Sequence, residues 1–272
     1  MNGREAVSQI RKILEKAEIF DINYEAGEIF KEICKTHPLT SENVTAEQFA
    51  EMKKIAEKRS EGFPLQYIFG KWEFYGYEFF VGEGVLIPRP ETELLVDLAV
   101  PLLSKDAALL DLCSGTGCVP IACTKTTGCK AYAVELYDEA YSYLQRNIAL
   151  NNANVTAVKG DALDNSHFEG VLFDIILSNP PYLTEEEMTM LQREVRFEPE
   201  TALFGGKDGL YFYKRLFSLW KGRLKNGGVF AVEVGDGQAQ SVKSLMEIEG
   251  FRAEILPDLN GIGRVVYGKY EK

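Results

Sequence analysis

The residues able to do chemistry sit where apolar runs stop. Val171 to Tyr182 reads VLFDIILSNPPY, an apolar stretch that ends abruptly in Asn179-Pro180-Pro181-Tyr182. A residue before proline is pushed toward extended backbone, so the Asn179 carboxamide stands on a stiff support, with an aromatic ring three residues on. That arrangement suits a reacting nitrogen of the sp² or amide NH₂ type, a poor nucleophile because its lone pair is delocalised. A neutral side-chain oxygen and a nearby backbone carbonyl accept its two N–H bonds and aim it at an electrophile, and Tyr182 covers the planar group. Short Asn/Pro clusters are usually plain turns, so the tetrapeptide gains its weight from what surrounds it.

Three other strand ends carry suitable groups. Asp111-Leu112-Cys113-Ser114-Gly115-Thr116-Gly117-Cys118 is a Gly-rich turn between an apolar run and helical Ile121-Ala122, and such turns let a ligand approach the backbone closely. It departs from the G-x-G-x-x-G dinucleotide fingerprint, with Cys113 in the first glycine position and no third glycine. Glu135 ends the next apolar run, about 20 residues on, where an acid accepts both hydroxyls of a ribose. Asp161, beside Ala162, ends a third, suited either to accepting an adenine amino hydrogen or to capping a helix. Loop and strand-end acid together point to an adenosine-containing cofactor.

The elements that must position these groups follow from hydrophobic period. Phe173, Ile175, Ile176 and Leu177 read as a strand buried on both faces, as in the middle of a parallel sheet, and two prolines force the chain out of it at its carboxyl end, where open α/β sheets bind ligands. Further strands are predicted at 107–112, 131–134, 155–158, 229–234, 251–256 and 264–268. Helices follow with Leu94, Leu95 and Leu98, with Ala140, Leu144 and Ile148 after a capping Asp138, with Leu216, Leu219 and Trp220, and with Val242, Leu245 and Met246. Thr184 with Glu187 forms a capping box after the Asn-Pro-Pro-Tyr step. Arg89 between Pro88 and Pro90 is placed to orient a loop near a ligand. Residues 1 to about 60 form a small helical unit on Val7, Ile10, Leu14 and Ala17, then Ala26, Ile29, Phe30 and Ile33, then Phe49, Met52 and Ile55 behind a Thr45/Gln48 capping box. Alternating aromatics around Gly70 and Gly76 in 61–83 predict a hairpin or two short strands linking two domains.

Composition narrows the classes. The chain has 272 residues, 46% hydrophobic, enough for one sizeable α/β domain and a smaller one. No apolar run approaches the ~18 residues of a membrane span, and the N-terminal stretch lacks a signal-peptide core, so a cytoplasmic location without membrane association is expected. Five cysteines with no secretion signal read as free thiols. Cys113, Cys118, Cys123 and Cys129 lack the paired C-x₂-C spacing of zinc sites, and only two histidines, His37 and His167, are present; no metal is expected. A formal charge of −11 disfavours broad attachment to nucleic acid.

With these residues assembled, the chain resembles the class I S-adenosylmethionine-dependent methyltransferases, and more narrowly the glutamine-N5 methyltransferases that modify peptide chain release factors. The resemblance spans essentially the whole chain and rests on LQYIFG at 65–70, LIPRPETE at 86–93, DLCSGTGC at 111–118, Glu135, SNPPY at 178–182 and RFEPETAL at 196–203. Cys113 departs from it, since the family often has glycine there, a change that is tolerable if the residue stays out of the methionine pocket. The resemblance implies an α/β, Rossmann-like seven-stranded sheet with its last strand antiparallel, over 85–272. It also implies an N-terminal helical substrate-recognition domain over 1–62 and a β-hairpin linker over 63–84. It places Cys113, Ser114, Gly115, Thr116 and Gly117 along the methionine and ribose of S-adenosylmethionine, Glu135 on the ribose hydroxyls, and Asp161 with Ala162 at the adenine. Asn179, bordering the cofactor, and the Pro180 carbonyl would hold the glutamine NH₂ of a Gly-Gly-Gln loop, with Pro181 and Tyr182 against its amide plane. Competing readings are a ribosomal-protein glutamine as substrate, an adenine-N6 nucleic-acid methyltransferase, and a non-catalytic binding module. The acidic chain shows no basic groove or target-reading domain, and an intact Gly115, Gly117, Glu135 and Asn179 argue for activity.

Overall fold

The computed structural model describes residues 1–17, 19–39 and 43–271; positions 18, 40–42 and 272, inside the expected 1–62 and 85–272 spans, lie outside the described residues. The chain divides into two compact units, Met1–Lys71 with Leu191–Phe197, and Trp72–Met190 with Glu198–Lys272.

The first unit contains α1 (Gly3–Leu14), α2 (Ile22–Cys34), α3 (Ala46–Ser60) and α4 (Leu65–Phe69). Each contributes one apolar stripe to a shared core, led by Ile10 and Leu14, Ile29 and Phe30, Met52 and Ala56, and Leu65. The capping box of α3 forms, with Gln48 N–H donating to Thr45 Oγ1 at 3.1 Å and Thr45 N–H to Gln48 Oε1 at 3.0 Å, a cap worth about 1 kcal/mol. Arg59, 3% exposed, donates to both oxygens of Glu25 at 2.7 and 2.9 Å and also to Glu194. Those carboxylates offset the cost of burying the guanidinium, and Glu194 thereby ties the Leu191–Phe197 segment into this unit. The helix α4 replaces the extended structure expected at the start of 63–84. Its Leu65, Ile68 and Phe69 pack on the helical core, and Gly70, at φ 72°, terminates it by donating its N–H to Gln66 O.

The second unit begins with a hairpin of β1 (Lys71–Phe74, its first residue closing unit one) and β2 (Tyr77–Phe80). Tyr75 and Gly76 both have positive φ, 53° and 75°, the requirement of a two-residue type I′ turn. In chain order there follow α5 (Glu93–Ala99), β3 (Ala108–Leu112), α6 (Cys118–Thr127), β4 (Lys130–Glu135), α7 (Asp138–Asn151), β5 (Val155–Lys159), β6 (Phe173–Ser178), α8 (Glu185–Thr189), α9 (Tyr213–Trp220), β7 (Leu224–Glu233), α10 (Ala239–Ile248), β8 (Phe251–Pro257) and β9 (Gly263–Tyr270). The seven-stranded sheet runs β5-β4-β3-β6-β7-β9-β8, with β9 antiparallel to both neighbours and the rest parallel.

Alternation along the strands builds a core on each face. Leu109, Ile175, Leu177 and Ala231 meet Leu95, Val96, Ile121 and Ala122 on one side. Leu110, Leu112, Ile176 and Phe230 meet Leu216, Phe217, Trp220 and Met246 on the other. Fully burying one such side chain contributes about 1.5–3 kcal/mol, so the central strands are a rigid base for whatever their carboxyl ends carry. Asp138 is the first residue of α7 rather than its cap: Tyr137 holds the cap position without a side-chain bond, and the Asp138 carboxylate faces Lys159 at 2.9 Å. Among the described residues no helix is long and apolar enough to cross a membrane.

Candidate active site

From β3 the chain winds outward through β4 and β5, then crosses back to β6 and β7 on the other side. The reversal leaves a crevice at the carboxyl ends of β3 and β6, the general ligand position of such sheets. Ser178 Oγ–H bonds Leu112 O at 2.8 Å and fixes the two ends side by side. A cavity of about 280 Å³ opens there, lined by Asp111, Cys113, Ser114, Gly115, Thr116, Glu135, Asp161, Ala162, Asn179 and Pro181 among others. Of the residues singled out from the sequence, Gly117, Pro180 and Tyr182 are not in the lining.

The Gly-rich turn is held from several directions. Ser114 N–H donates to Val134 O at 3.0 Å and Gly117 N–H to Ser114 O at 2.8 Å, while Ser114 Oγ–H donates to the Asp111 carboxylate. Buried Asn147 donates to Thr116 O at 2.9 Å and to Phe80 O at 3.1 Å, joining the turn to the hairpin. Gly117 has φ 78°, and a Cβ there would stand 2.4 Å from Leu144 Cδ1, so its role is close packing at the start of α6. Cys113 also adopts a left-handed φ, 59°, which accounts for the suitability of glycine at this position. Cys113 is among the residues that line the cavity, and it also packs against the core on the α9 face of the sheet.

Two carboxylates dominate the electrostatics of the cavity floor. Glu135 is 6% exposed; its Oε2 accepts Gly115 N–H and its Oε1 accepts Tyr137 N–H, each at 2.9 Å. Burial raises its pKa and these backbone bonds oppose the rise, leaving one lone pair on each oxygen for a ligand donor. Burial, opposed by Ser114 and reinforced by the Glu135 charge, pushes Asp111 up to about 7. Asp161 is no helix cap: Oδ1 accepts Leu163 N–H at 2.8 Å within a turn. Three carboxylates around one cavity favour a cationic occupant, and the residues present fit an adenosine carrying a sulfonium.

At the other lip, Asn179 Nδ2–H donates to Thr92 Oγ1 at 3.2 Å. Glu198, buried, accepts Ile87 N–H at 3.0 Å and the Arg89 guanidinium, so one carboxylate ties LIPRPETE to the stretch that begins at Glu198. The second segment also braces the motif: Leu183 N–H donates to Leu203 O and Gly205 N–H to Leu183 O, both 2.8 Å. A Cβ on Gly205 would lie 2.6 Å from Tyr182 Cα, a close backbone approach only glycine allows. Tyr182 is partly buried against the core beside α9, and its carbonyl accepts Gln238 Nε2–H at 2.8 Å.

Sequence reasoning passed over Thr92, Asp111, Tyr211 and Phe212, all of which line the cavity. Thr92 stood inside LIPRPETE without a role of its own, and Asp111 read only as the opening of the turn. Tyr211 and Phe212 line the cavity from a loop whose aromatic pair, after GGKDGL, was the available signal. Cys34, Cys113, Cys118, Cys123 and Cys129 are free thiols, the middle ones raised by burial. Among the described residues no group of three His, Cys, Asp or Glu is placed to hold a metal ion.

Residues 91–199 match the Methyltransferase small domain family. The chain is similar to the release factor glutamine methyltransferase of Thermodesulfovibrio yellowstonii, 38% identical over 96% of each chain. It is also similar to that of Bacillus subtilis, 38% identical over 83% of this chain and 82% of the other. Among solved structures it resembles a methyltransferase from Pyrococcus furiosus, with a TM-score of 0.58 and 21% identity over 73% of this chain and 91% of that one. It likewise resembles a precorrin-6y methyltransferase from Geobacter metallireducens, with a TM-score of 0.51 and 13% identity over 71% of this chain and 94% of that one. These structures share the fold.

Proposed function

Because the chain belongs to the release factor glutamine methyltransferase family, we propose that it transfers a methyl group from S-adenosylmethionine to the side-chain amide of the glutamine in a release factor's Gly-Gly-Gln loop. The observation that carries the reading is the pairing of an acid-floored cavity with an Asn179 carboxamide at its lip. When bound, S-adenosylmethionine supplies a methyl group on a sulfonium, an electrophile with its leaving group already built in.

In this reading the protein contributes alignment. Glu135 accepts the ribose hydroxyls through its spare lone pairs, and the backbone from Cys113 to Gly117 runs along the methionine and ribose. Asp161 and Ala162 border the adenine, and Asp111 supplies negative charge under the cationic end. Asn179 Oδ1 and the Pro180 carbonyl accept the two N–H bonds of the glutamine amide, and Pro181 and Tyr182 back its plane. Holding nitrogen, methyl and sulfur in line is worth several orders of magnitude in rate. Two fixed acceptors also favour the positive charge that grows on nitrogen. The alkylated nitrogen is strongly acidic, so its proton passes to water and no general base is needed. The helical unit over 1–62 is assigned to gripping the protein substrate, since none of its residues is in the lining of the cavity.

The test is incubation of the purified protein with methyl-labelled S-adenosylmethionine and, separately, a release factor, ribosomal proteins, DNA and RNA, followed by mapping of the label. Label on the glutamine amide of the release factor supports the reading. Label only on a ribosomal protein or an adenine overturns it.

A further inference from the structure

Pro180 and Pro181 have no backbone N–H to offer, so the placement of the Asn-Pro-Pro-Tyr step depends on what grips its other atoms. One side chain grips its far end. Gln238 Nε2–H donates to Tyr182 O at 2.8 Å, and Gln238 Oε1 accepts Gly235 N–H at 3.0 Å. A backbone N–H only donates and a carbonyl only accepts, so the Gln238 carboxamide fits this place one way round.

The root of Gln238 is fixed as well. Its N–H donates to Gly235 O at 3.2 Å across a turn, and its carbonyl accepts Val242 N–H at 3.0 Å at the start of α10. Gly237, third of the four turn residues, has φ 73°, a value that suits glycine there. Packing around the Gln238–Tyr182 bond is close. A Cβ on Gly209 would stand 2.4 Å from both Tyr182 O and Gln238 Nε2, and one on Gly235 would stand 3.0 Å from Tyr182 Cδ2. With Gly205 against Tyr182 Cα, three stretches of backbone enclose the residue.

We propose that Gln238 is a positioning residue: by joining the turn after β7 to the Tyr182 carbonyl, it holds the Asn-Pro-Pro-Tyr backbone where Asn179 Oδ1 and Pro180 O meet the substrate amide. This rests on the methyl-transfer reading above and deepens it by naming the group that keeps the two acceptors still. Gln238 lies outside the cavity lining, so it acts through the backbone of the motif and not on the cofactor. Without its grip the Tyr182 peptide is free to rotate, and a displacement of about 1 Å at a reacting group can cost about 100-fold in rate.

The test compares wild type, Gln238→Glu, Gln238→Met and Gly209→Ala in single-turnover transfer to a release factor at saturating cofactor. KM for the release factor, cofactor affinity by calorimetry and thermal melting are measured alongside. Gln238→Glu keeps the length and the acceptor for Gly235 N–H but turns an acceptor toward Tyr182 O; Gln238→Met keeps the bulk and neither bond. Both are expected to slow transfer about 10-fold or more, with KM and cofactor affinity near those of wild type. Gly209→Ala puts a methyl group against the same bond and is expected to slow transfer likewise, with no added loss when combined with Gln238→Met. Wild-type transfer by Gln238→Glu would make Gln238 a cap for its turn alone and overturn the proposal. A loss confined to KM or to melting temperature, or a multiplied loss in the double variant, would overturn it too, and each leaves the methyl-transfer reading standing. No transfer by wild type itself overturns that reading instead.

Discussion

The Arg89 guanidinium donates to the Glu198 carboxylate across 109 positions of sequence. The same carboxylate holds Ile87 N–H, so one buried acid organises the approach to Thr92 on one side and the brace behind Tyr182 on the other. Glu198→Ala takes the carboxylate away from Ile87 N–H and from the Arg89 guanidinium. It should lower stability by about 1–3 kcal/mol, read from urea unfolding, and Glu198→Gln should recover part of that. Equal stability of all three proteins would show the carboxylate to be incidental.

The cofactor assignment turns on Glu135. Glu135→Ala removes the acceptor for the ribose hydroxyls and should weaken S-adenosylmethionine binding by about 1.5–3 kcal/mol, the scale of hydrogen bonds to a charged group. Calorimetry on a variant with unaltered circular dichroism measures this directly, and unchanged affinity would remove Glu135 from the role.

Much of this was legible because it is local. The run Phe173–Ser178 announced a doubly buried strand, Glu135 and Asn179 stood at strand ends, and Thr45/Gln48 and Thr184/Glu187 declared their caps. The helix Leu65–Phe69 was not legible, because its aromatics favour strands by propensity and only docking of Leu65 into the helical core decides otherwise. Thr92 and Asn179 meet only once the start of α5 is placed beside the end of β6, so no spacing in the chain reveals the pair. Cys113 could be seen as a departure from glycine, yet the φ of 59° that explains the preference is a property of the folded turn.

Asp111 should make cofactor binding depend on pH. Its pKa rises from 3.8 to about 7 on folding, so the folded apoprotein holds a proton that the unfolded chain releases. The stability this confers is complete below about pH 4 and is lost as pH rises through about 7. A cationic ligand prefers the ionised form, so affinity for S-adenosylmethionine should increase between pH 6 and 8 (roughly one unit either side of that value). Asp111→Asn should flatten both trends in titration calorimetry and thermal melts. An unaltered pH dependence in Asp111→Asn would assign the proton to another group.

The central claim is that the Asn179 carboxamide orients the reacting amide. Single-turnover transfer of labelled methyl to the release-factor glutamine, at saturating enzyme and cofactor, tests it most directly. With Asn179→Ala the rate constant should fall by about 100-fold or more while S-adenosylmethionine affinity stays near that of wild type. A rate near wild type, or a loss confined to KM, would contradict the account.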